Sequence, residues 1–379
     1  MIDTITIKLS ESDFKINDNS KFSPDTYSFF NPPYARMGSR GYIDAYQNPT
    51  RTEFKQGIYK PQLTLRKRWQ NSQPSILLYI QFSAPKILYK NNFDEITTAD
   101  LDKVTSNLGS ILQDMGVGLR IRDLKEANVT KIHYSKNIIL PEYIIPSMVI
   151  GEIRKVDYNL HQELTEKDYR NAGHSIRFHT NKYELIIYDK KKDLQKSMQS
   201  DKRSIENDNM IQQDLFHSLN KKKHLEILRI EARLNNSNWI KNETGISKRN
   251  QTLMTLFDSE LSGKVLRKSW KSILDRYQLV KPDIDDKEKF LARFIANNPG
   301  VKLTNALAAY GYLECVKDMG VSKLRNLAEN RFSNRTWYSL KKTMSGYNLT
   351  GKLPNQFESI TSTLNTYEPL HLKDYEDYL

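Results

Sequence analysis

The sequence predicts an α+β fold in which an antiparallel sheet carries packed helices and is followed by a mainly α-helical region. One observation is a series of segments with strand-like patterns, at 3–9, 61–68, 75–83, 127–140, 175–188 and 225–234. The other is a change beyond Trp239 to short helical patterns separated by Gly and Pro. We therefore expect an α+β domain over 1–240 and a helical, DNA-binding domain over 241–379, which ends in a peripheral tail.

Apolar stripes at helical spacing predict the individual helices. The clearest covers 100–117, where the apolar residues share one face and Gly116 is a suitable C-cap. A second helix is expected over 209–219. Further on, two short helices are expected on either side of the "DMG" at 318–320. That arrangement is typical of a helix-turn-helix that reads DNA, and equally of a three-helix bundle.

Charge and composition favour a nucleic-acid partner in a reducing cytoplasm. The 379 residues carry a formal net charge of +13 and an isoelectric point near 9.4, which suits a polyanion. Basic residues alternate with aromatic ones at 59–69 and 335–342, a mixture that suits phosphate contacts and base stacking as well as a solvated basic face. The single cysteine, Cys315, argues against disulfides and cysteine zinc sites. We expect no membrane span, no signal peptide and, without a GxxxxGK[ST] motif, no P-loop ATPase.

The segment "YELIIYDKKKDL" at 183–194 is the first candidate for chemistry. A buried strand ends in Tyr188 and is followed at once by a cluster of lysines. A tyrosine nucleophile needs nearby cations that stabilise the phenolate and the charge on phosphorus, and Lys190 and Lys192 supply them. The structural alternative is an amphipathic tyrosine at a strand edge, which is common in a chain with 21 tyrosines.

Two further strands carry candidate ligands. In "LEILRIEARLN" at 225–235, Glu231 lies between two arginines on the polar face, where it suits a metal site or an ion-pair network. In "VTKIHYSKNIIL" at 129–140, His133 lies in the middle of a strand, where a histidine is either structural or a ligand.

Taken in order, these segments resemble the filamentous-phage gene-II type (II/X family) rolling-circle replication initiators. The resemblance runs nearly end to end. It is carried by "MIDTITIKL", "LYIQFSAPKILYKNNFDEITTADL", "LIIYDKKKDL", "LRIEARL" and "LAAYGYLECVKDMGVSKLRNLAENRFSNRTWYSLKKTM".

The resemblance implies an RRM-like antiparallel sheet and an enzyme that nicks one strand of a double-stranded phage or plasmid origin. The nucleophile matches Tyr188 and the lysine two residues later matches Lys190. The acidic positions match Asp193 and Glu231, whereas His133 stands where the family has an aspartate. Glu231, His133 and Asp193 are therefore the expected ligands of a divalent metal, Mg²⁺ or Mn²⁺. Expected partners are origin DNA, the displaced single strand, and a helicase and DNA polymerase in the cytoplasm of a bacterial host.

Two other functions remain open on the sequence. A non-catalytic origin-binding protein or repressor could keep the same fold and use Tyr188 only for packing. An RNA-binding module would need aromatic residues exposed on its strands, and "RFHTNKY" matches that pattern poorly.

Overall fold

The computed structural model describes residues 1–26, 41–50, 52–53, 56–70, 73–141, 144–154, 165–170, 173–180, 182–193, 225–277, 286–332, 334–345, 355–371 and 373–374. The helix expected over 209–219 lies outside these residues. The described strands are β1 (Ile2–Ser10), β2 (Phe14–Ile16), β3 (Tyr42–Gln47), β4 (Gln62–Gln70), β5 (Gln73–Ser83), β6 (Val117–Leu119), β7 (Asn128–Ile139), β8 (Thr165–Arg170), β9 (Ser175–His179), β10 (Tyr183–Asp189) and β11 (Ile227–Leu234).

Nine of the described strands form one antiparallel sheet in the order β3-β4-β5-β1-β7-β11-β10-β9-β8, which confirms the expected α+β class. The short β2 and β6 pair separately. Successive side chains on a strand point to opposite faces, so the alternating sequences give the sheet one apolar face and one polar face. On β11, for example, Leu228, Ile230 and Ala232 belong to the apolar core, whereas Glu231 points to the other side.

The apolar face is covered by helices. The described helices are α1 (Ala84–Tyr89), α2 (Leu101–Asp114), α3 (Ile121–Glu126), α4 (Pro146–Arg154), α5 (Ser237–Thr244), α6 (Leu253–Leu256), α7 (Ser259–Tyr277), α8 (Lys287–Asn297), α9 (Leu303–Arg331), α10 (Asn334–Ser345) and α11 (Asn355–Thr366). Side chains of α1, α2, α4, α5, α6, α7 and α11 lie in the same core as the strands. None of the described helices is long and apolar enough to cross a membrane.

The sheet core extends well beyond residue 240. The predicted boundary at 240 falls inside α5, and α7 packs on the sheet through Leu266, Trp270 and Ile273. Helix α11 in turn packs on α7, with its Phe357 ring 5.3 Å from the Trp270 ring in an edge-to-face contact. Helix α11, in the expected peripheral tail, thus packs on the main core through Phe357, Ile360 and Leu364. The division into two domains stays a prediction.

A smaller core lies between α8, α9 and α10. Its buried side chains are Phe290, Phe294, Ala306, Ala309, Leu313 and Met344, and beside them Val316 and Trp337. These three helices, which we call the α8–α10 bundle, make up the part of the helical region that has its own apolar centre.

Two expectations about single elements are wrong. The segment 175–188 is not one strand but the hairpin of β9 and β10, in which the Thr180 hydroxyl accepts hydrogen bonds from the backbone N–H of Lys182 and Tyr183. No turn interrupts "DMG" at 318–320, because α9 runs continuously through it, so the expected helix-turn-helix is absent there. A mid-helix glycine costs about 1 kcal/mol, and the apolar packing of α9 on either side of it, at Val316 and Leu324, outweighs that cost.

Candidate functional site

Tyr188 lies at the carboxyl end of β10, on the polar face of the sheet, with its ring partly exposed. Tyr183, Leu185 and Ile187 fill the core on the other face, so strand alternation alone directs the Tyr188 phenol away from the helices. The strand then ends in a helical turn that begins at Lys190. Asp189 caps this turn, because its carboxylate accepts a hydrogen bond from the Lys192 N–H at 3.0 Å.

Glu231 is the immediate partner of the tyrosine. The Tyr188 hydroxyl donates to Glu231 Oε2 at 3.3 Å, across the pair of neighbouring strands β10 and β11. The other carboxylate oxygen accepts from Arg233 Nε at 2.7 Å and lies 3.5 Å from His133 Nδ1 on β7. Glu231 is 2% exposed, so this carboxylate acts in a largely water-free environment.

Arg229 forms the floor of the site. Its Nη2 donates to Asp3 at 2.6 Å and to Ser135 Oγ at 2.8 Å, and its Nη1 donates to Asn137 Oδ1 at 3.2 Å. The Asn92 carbonyl accepts a further hydrogen bond at 2.9 Å. These hydrogen bonds fix the guanidinium and leave its Nε without a hydrogen-bond partner among the described residues, 3.9 Å from Glu231 Oε2. The unpaired N–H thus lies beside the carboxylate that accepts the Tyr188 hydrogen bond.

Lys190 adds a second buried cation. Its side chain is 1% exposed, and its Nζ lies 6.0 Å from the centre of the Tyr188 ring. Burial, reinforced by the neighbouring charge of Arg229, lowers the pKa of Lys190 to about 8. An ammonium with this pKa begins to lose its proton just above neutral pH. An anion placed beside it would stabilise the protonated form.

Burial and neighbouring charges shift the pKa values of Tyr188 and Glu231 in opposite directions. Burial raises the pKa of Tyr188 well above its ordinary value, and Arg229 only partly offsets this. Burial also acts to raise the pKa of Glu231, but Arg233, the hydrogen bond with His133 and Arg229 outweigh it and hold that pKa well below its usual range. The resting site therefore contains a neutral phenol and an ionised carboxylate that orients the phenol proton.

The structure brings together four of the six residues singled out in the sequence: Tyr188, Lys190, Glu231 and His133. Asp193 lies near enough for its charge to raise the pKa values of Tyr188 and Lys190. Lys192, by contrast, has an exposed side chain, and its positive charge acts on Glu226. A direct role of Lys192 at the Tyr188 hydroxyl finds no support in this geometry.

Three other tyrosine or acidic side chains near these segments have partners of their own away from the site. Tyr183 is 2% exposed, stacks on Trp239 and contacts the Ser269 hydroxyl of α7 at 3.2 Å. Glu152 accepts a hydrogen bond from Tyr277, and Asp189 contacts His174 at 3.2 Å. None of these three described side chains lies beside the Tyr188 hydroxyl, so they do not belong to the same site.

A divalent cation would find two donors here, the Glu231 carboxylate and the His133 imidazole. Both are ligand types that transition metals accept, and the lowered pKa keeps the carboxylate ionised. Arg233 already binds one of the carboxylate oxygens, so a cation must displace it or use the remaining lone pairs. Within the described ranges, no group of three His, Cys, Asp or Glu side chains is arranged to hold a metal ion. Asp193 as third ligand stays a prediction.

Sequence reasoning missed the supports of Arg229. Asp3 comes from β1, Asn137 and Ser135 come from β7, and Asn92 comes from the loop after α1. In the sequence these residues are spread from 3 to 229, and only the strand order of the sheet brings them together. The one local signal was the alternation "LRIEARL", which puts Arg229 and Glu231 on one face.

Comparison with protein-family models, with curated proteins and with solved structures gave no match to this chain.

Proposed function

We propose that this chain is a rolling-circle replication initiator that nicks one strand of a phage or plasmid double-stranded origin with Tyr188. The observation that carries the proposal is the Tyr188 hydroxyl, which donates a hydrogen bond to Glu231 beside the buried cations Arg229 and Lys190. The resemblance to the gene-II type initiators, including their RRM-like sheet, supports the same assignment.

The reaction is a transesterification at phosphorus. The Tyr188 oxygen loses its proton and forms a bond to the scissile phosphorus, the bond from phosphorus to the 3′ oxygen breaks, and the released 3′ oxygen takes up a proton. The products are a 5′-phosphotyrosine and a 3′-hydroxyl that primes DNA synthesis. Because the phosphoester bond is conserved, attack by a 3′-hydroxyl on the phosphotyrosine later joins the displaced strand into a circle without ATP.

The protein side chains have separable tasks in this reaction. Glu231 accepts the hydrogen bond of the phenol and fixes the direction of attack. The Nε–H of Arg229 and the ammonium of Lys190 are placed to stabilise the charge that develops on the phosphate oxygens. A divalent metal, Mg²⁺ or Mn²⁺, bound by Glu231 and His133 would add Lewis-acid polarisation of a phosphate oxygen.

A non-catalytic origin-binding protein is the second candidate. The raised pKa of Tyr188 favours it, because a neutral phenol is a poor nucleophile unless its proton leaves during attack. The two candidates differ in one observable, a covalent adduct between protein and DNA.

The test uses a supercoiled plasmid that carries the gene with its flanking DNA, incubated with Mg²⁺ or Mn²⁺. We expect the parent protein to give relaxed circles and a detergent-stable protein–DNA adduct. Tyr188→Phe should lose both, because only the hydroxyl is removed, while its binding to the same DNA stays within about twofold. Tyr183→Phe is the matched control, since that ring faces the helices, and it should nick at the parent rate.

Parent-like nicking by Tyr188→Phe would refute the assignment of the nucleophile. Sequence-specific binding without nicking or adduct in the parent protein would establish the non-catalytic alternative.

A further inference from the structure

A second cluster on the polar face lies at the opposite half of the sheet, on β3, β4 and β5. The guanidinium carbon of Arg66 lies 4.0 Å from the centre of the Tyr42 ring and 5.5 Å from that of Tyr79. Asp44 accepts two hydrogen bonds from Arg66, each at 2.7 Å, which hold the guanidinium in place. The result is a rigid group of two aromatic rings and one planar cation on three adjacent strands.

These rings are not buried by the sheet. Tyr42 and Tyr79 are partly exposed, and Tyr46 on the same face of β3 is 46% exposed. Large apolar rings on a sheet surface gain free energy when a flat partner covers them. Asp44 neutralises Arg66, whose guanidinium covers one face of the Tyr42 ring, so a flat partner would stack on the opposite face of that ring.

A line of cations connects the cluster with Tyr188. The register pairs Lys8 of β1 with Tyr79, and Thr6 with Lys131 of β7. Lys131 is exposed and Lys8 is partly exposed. Arg233, whose side chain is 31% exposed, continues the line towards Glu231. Four strand spacings, about 19 Å at about 4.8 Å per step, separate Tyr79 from Tyr188 across the sheet, and the register offsets them by about nine further residues along the strands, about 30 Å.

We propose that this half of the polar face binds single-stranded DNA, with bases stacked on Tyr42 and Tyr79 and phosphates along Lys8, Lys131 and Arg233. Exposed aromatic rings combined with a basic track are the elements by which proteins hold unpaired strands without reading their sequence. Duplex DNA keeps its base faces stacked on one another, so these rings favour an unpaired strand.

The inference rests on the proposed nicking function, because nicking followed by strand displacement is what would produce single-stranded DNA beside Tyr188. Its test does not rest on that function. Binding is measured with the Tyr188→Phe protein, so strand affinity and cleavage are separate readouts, and either can fail alone.

The experiment measures the fluorescence anisotropy of a labelled single-stranded DNA oligonucleotide of mixed sequence. Tyr79→Leu, which keeps an apolar side chain but removes the π face, should weaken binding at least about fivefold, and Tyr42→Leu should do the same. Tyr79→Phe is the matched control and should bind within about twofold of the parent, because stacking needs the ring and not the hydroxyl. Duplex affinity should change less than about twofold in all three variants.

Thermal melting accompanies each variant, so that a purely structural role is recognised. Weaker binding by Tyr79→Leu with a parent-like Tm supports the proposal. The proposal is overturned if Tyr79→Leu and Tyr42→Leu are both folded and both bind single-stranded DNA as tightly as the parent. A loss of affinity as large in Tyr79→Phe as in Tyr79→Leu also overturns it. Tighter binding of an RNA oligonucleotide of the same sequence would overturn the assignment to DNA.

Discussion

At the scale of single residues, Lys190 has the most unusual environment in the proposed active site. A lysine that is 1% exposed gives up its hydration, and the nearby Arg229 adds repulsion. On the proposed function, an anionic phosphate would offset this cost when DNA is bound. Such a site exchanges stability of the free protein for affinity towards a charged ligand.

The lowered pKa of Lys190 predicts a pH-dependent effect on stability. Its pKa falls from 10.5 to about 8 on folding, so the unfolded chain binds more protons between these values and stability rises with pH through that window. Below pH 8 the full cost of the buried charge, about 3 kcal/mol, destabilises the folded state. Lys190→Met should therefore raise the free energy of unfolding at pH 7 by about that amount, and the gain should shrink towards pH 10.

Urea denaturation of both proteins at pH 7 and at pH 10 measures this difference. Lys192→Met is the matched control, because that side chain is exposed and its removal should change stability by less than about 0.5 kcal/mol at either pH. A gain from Lys190→Met that stays constant from pH 7 to pH 10 would contradict the lowered pKa.

At the scale of elements, the candidate metal site depends on the pairing of β7 with β11. The register places His133 opposite Arg233 and Ser135 opposite Glu231, which brings the imidazole within 3.5 Å of the carboxylate. A shift of one residue in this pairing would turn one of the two side chains into the core. His133 and Glu231 meet because apolar residues alternate along β7 and β11, and their burial fixes the register of the two strands.

We predict that the site prefers Mn²⁺ and that the preference depends on His133. An imidazole ligand favours a transition metal, whereas carboxylates suit Mg²⁺. Glu231→Gln should abolish nicking with either ion. His133→Asp should move the preference towards Mg²⁺ by about tenfold in the ratio of nicking rates, measured on the supercoiled plasmid.

Glu184→Gln provides a control for charge alone, because Glu184 also contacts Arg233, at 3.5 Å, but lies apart from the Tyr188 hydroxyl. It should nick at close to the parent rate. Normal nicking of His133→Ala in Mg²⁺ would show that His133 is a structural residue.

At the scale of the whole molecule, catalysis and duplex affinity are expected to lie in different cores. The site is built on the sheet, whereas the α8–α10 bundle packs around its own apolar centre and carries more basic than acidic residues. Since the expected helix-turn-helix is absent from the described part of α9, we expect the bundle to hold duplex DNA through phosphate contacts from exposed side chains.

The triple variant Lys302→Ala, Arg331→Ala and Arg335→Ala removes three exposed cations from the bundle. Duplex affinity should fall, and the slope of log K against log salt should decrease by about 0.9 for every phosphate that is no longer neutralised. Cleavage of a single-stranded origin oligonucleotide should stay at the parent rate. Lys103→Ala, an exposed lysine on α2, is the control and should leave the salt slope unchanged. An unchanged slope in the triple variant would place the duplex-binding surface elsewhere.

The sequence alone determined the elements whose signal is local. Alternation at period two predicted β1, β7 and β11 almost to their ends, and the apolar stripe predicted α2, because both patterns arise from neighbours a few residues apart. The same alternation put Glu231 on the polar face of its strand. The turn predicted at Gly320 is absent, because the free energy that a glycine costs within a helix is smaller than the free energy gained by packing a continuous α9.

Only the tertiary structure decided which of these residues meet. The order of the strands brings Asp3, Asn137 and Arg229 into one cluster and places Glu231 against the Tyr188 hydroxyl, although up to 226 residues separate the partners in the chain. It also put Tyr183 into the helix-covered core and joined Tyr42 to Tyr79 across Arg66. Strand order and register depend on contacts between distant segments, and the free energy of those contacts comes from burying one shared core. A local sequence pattern does not encode the total of these long-range contacts.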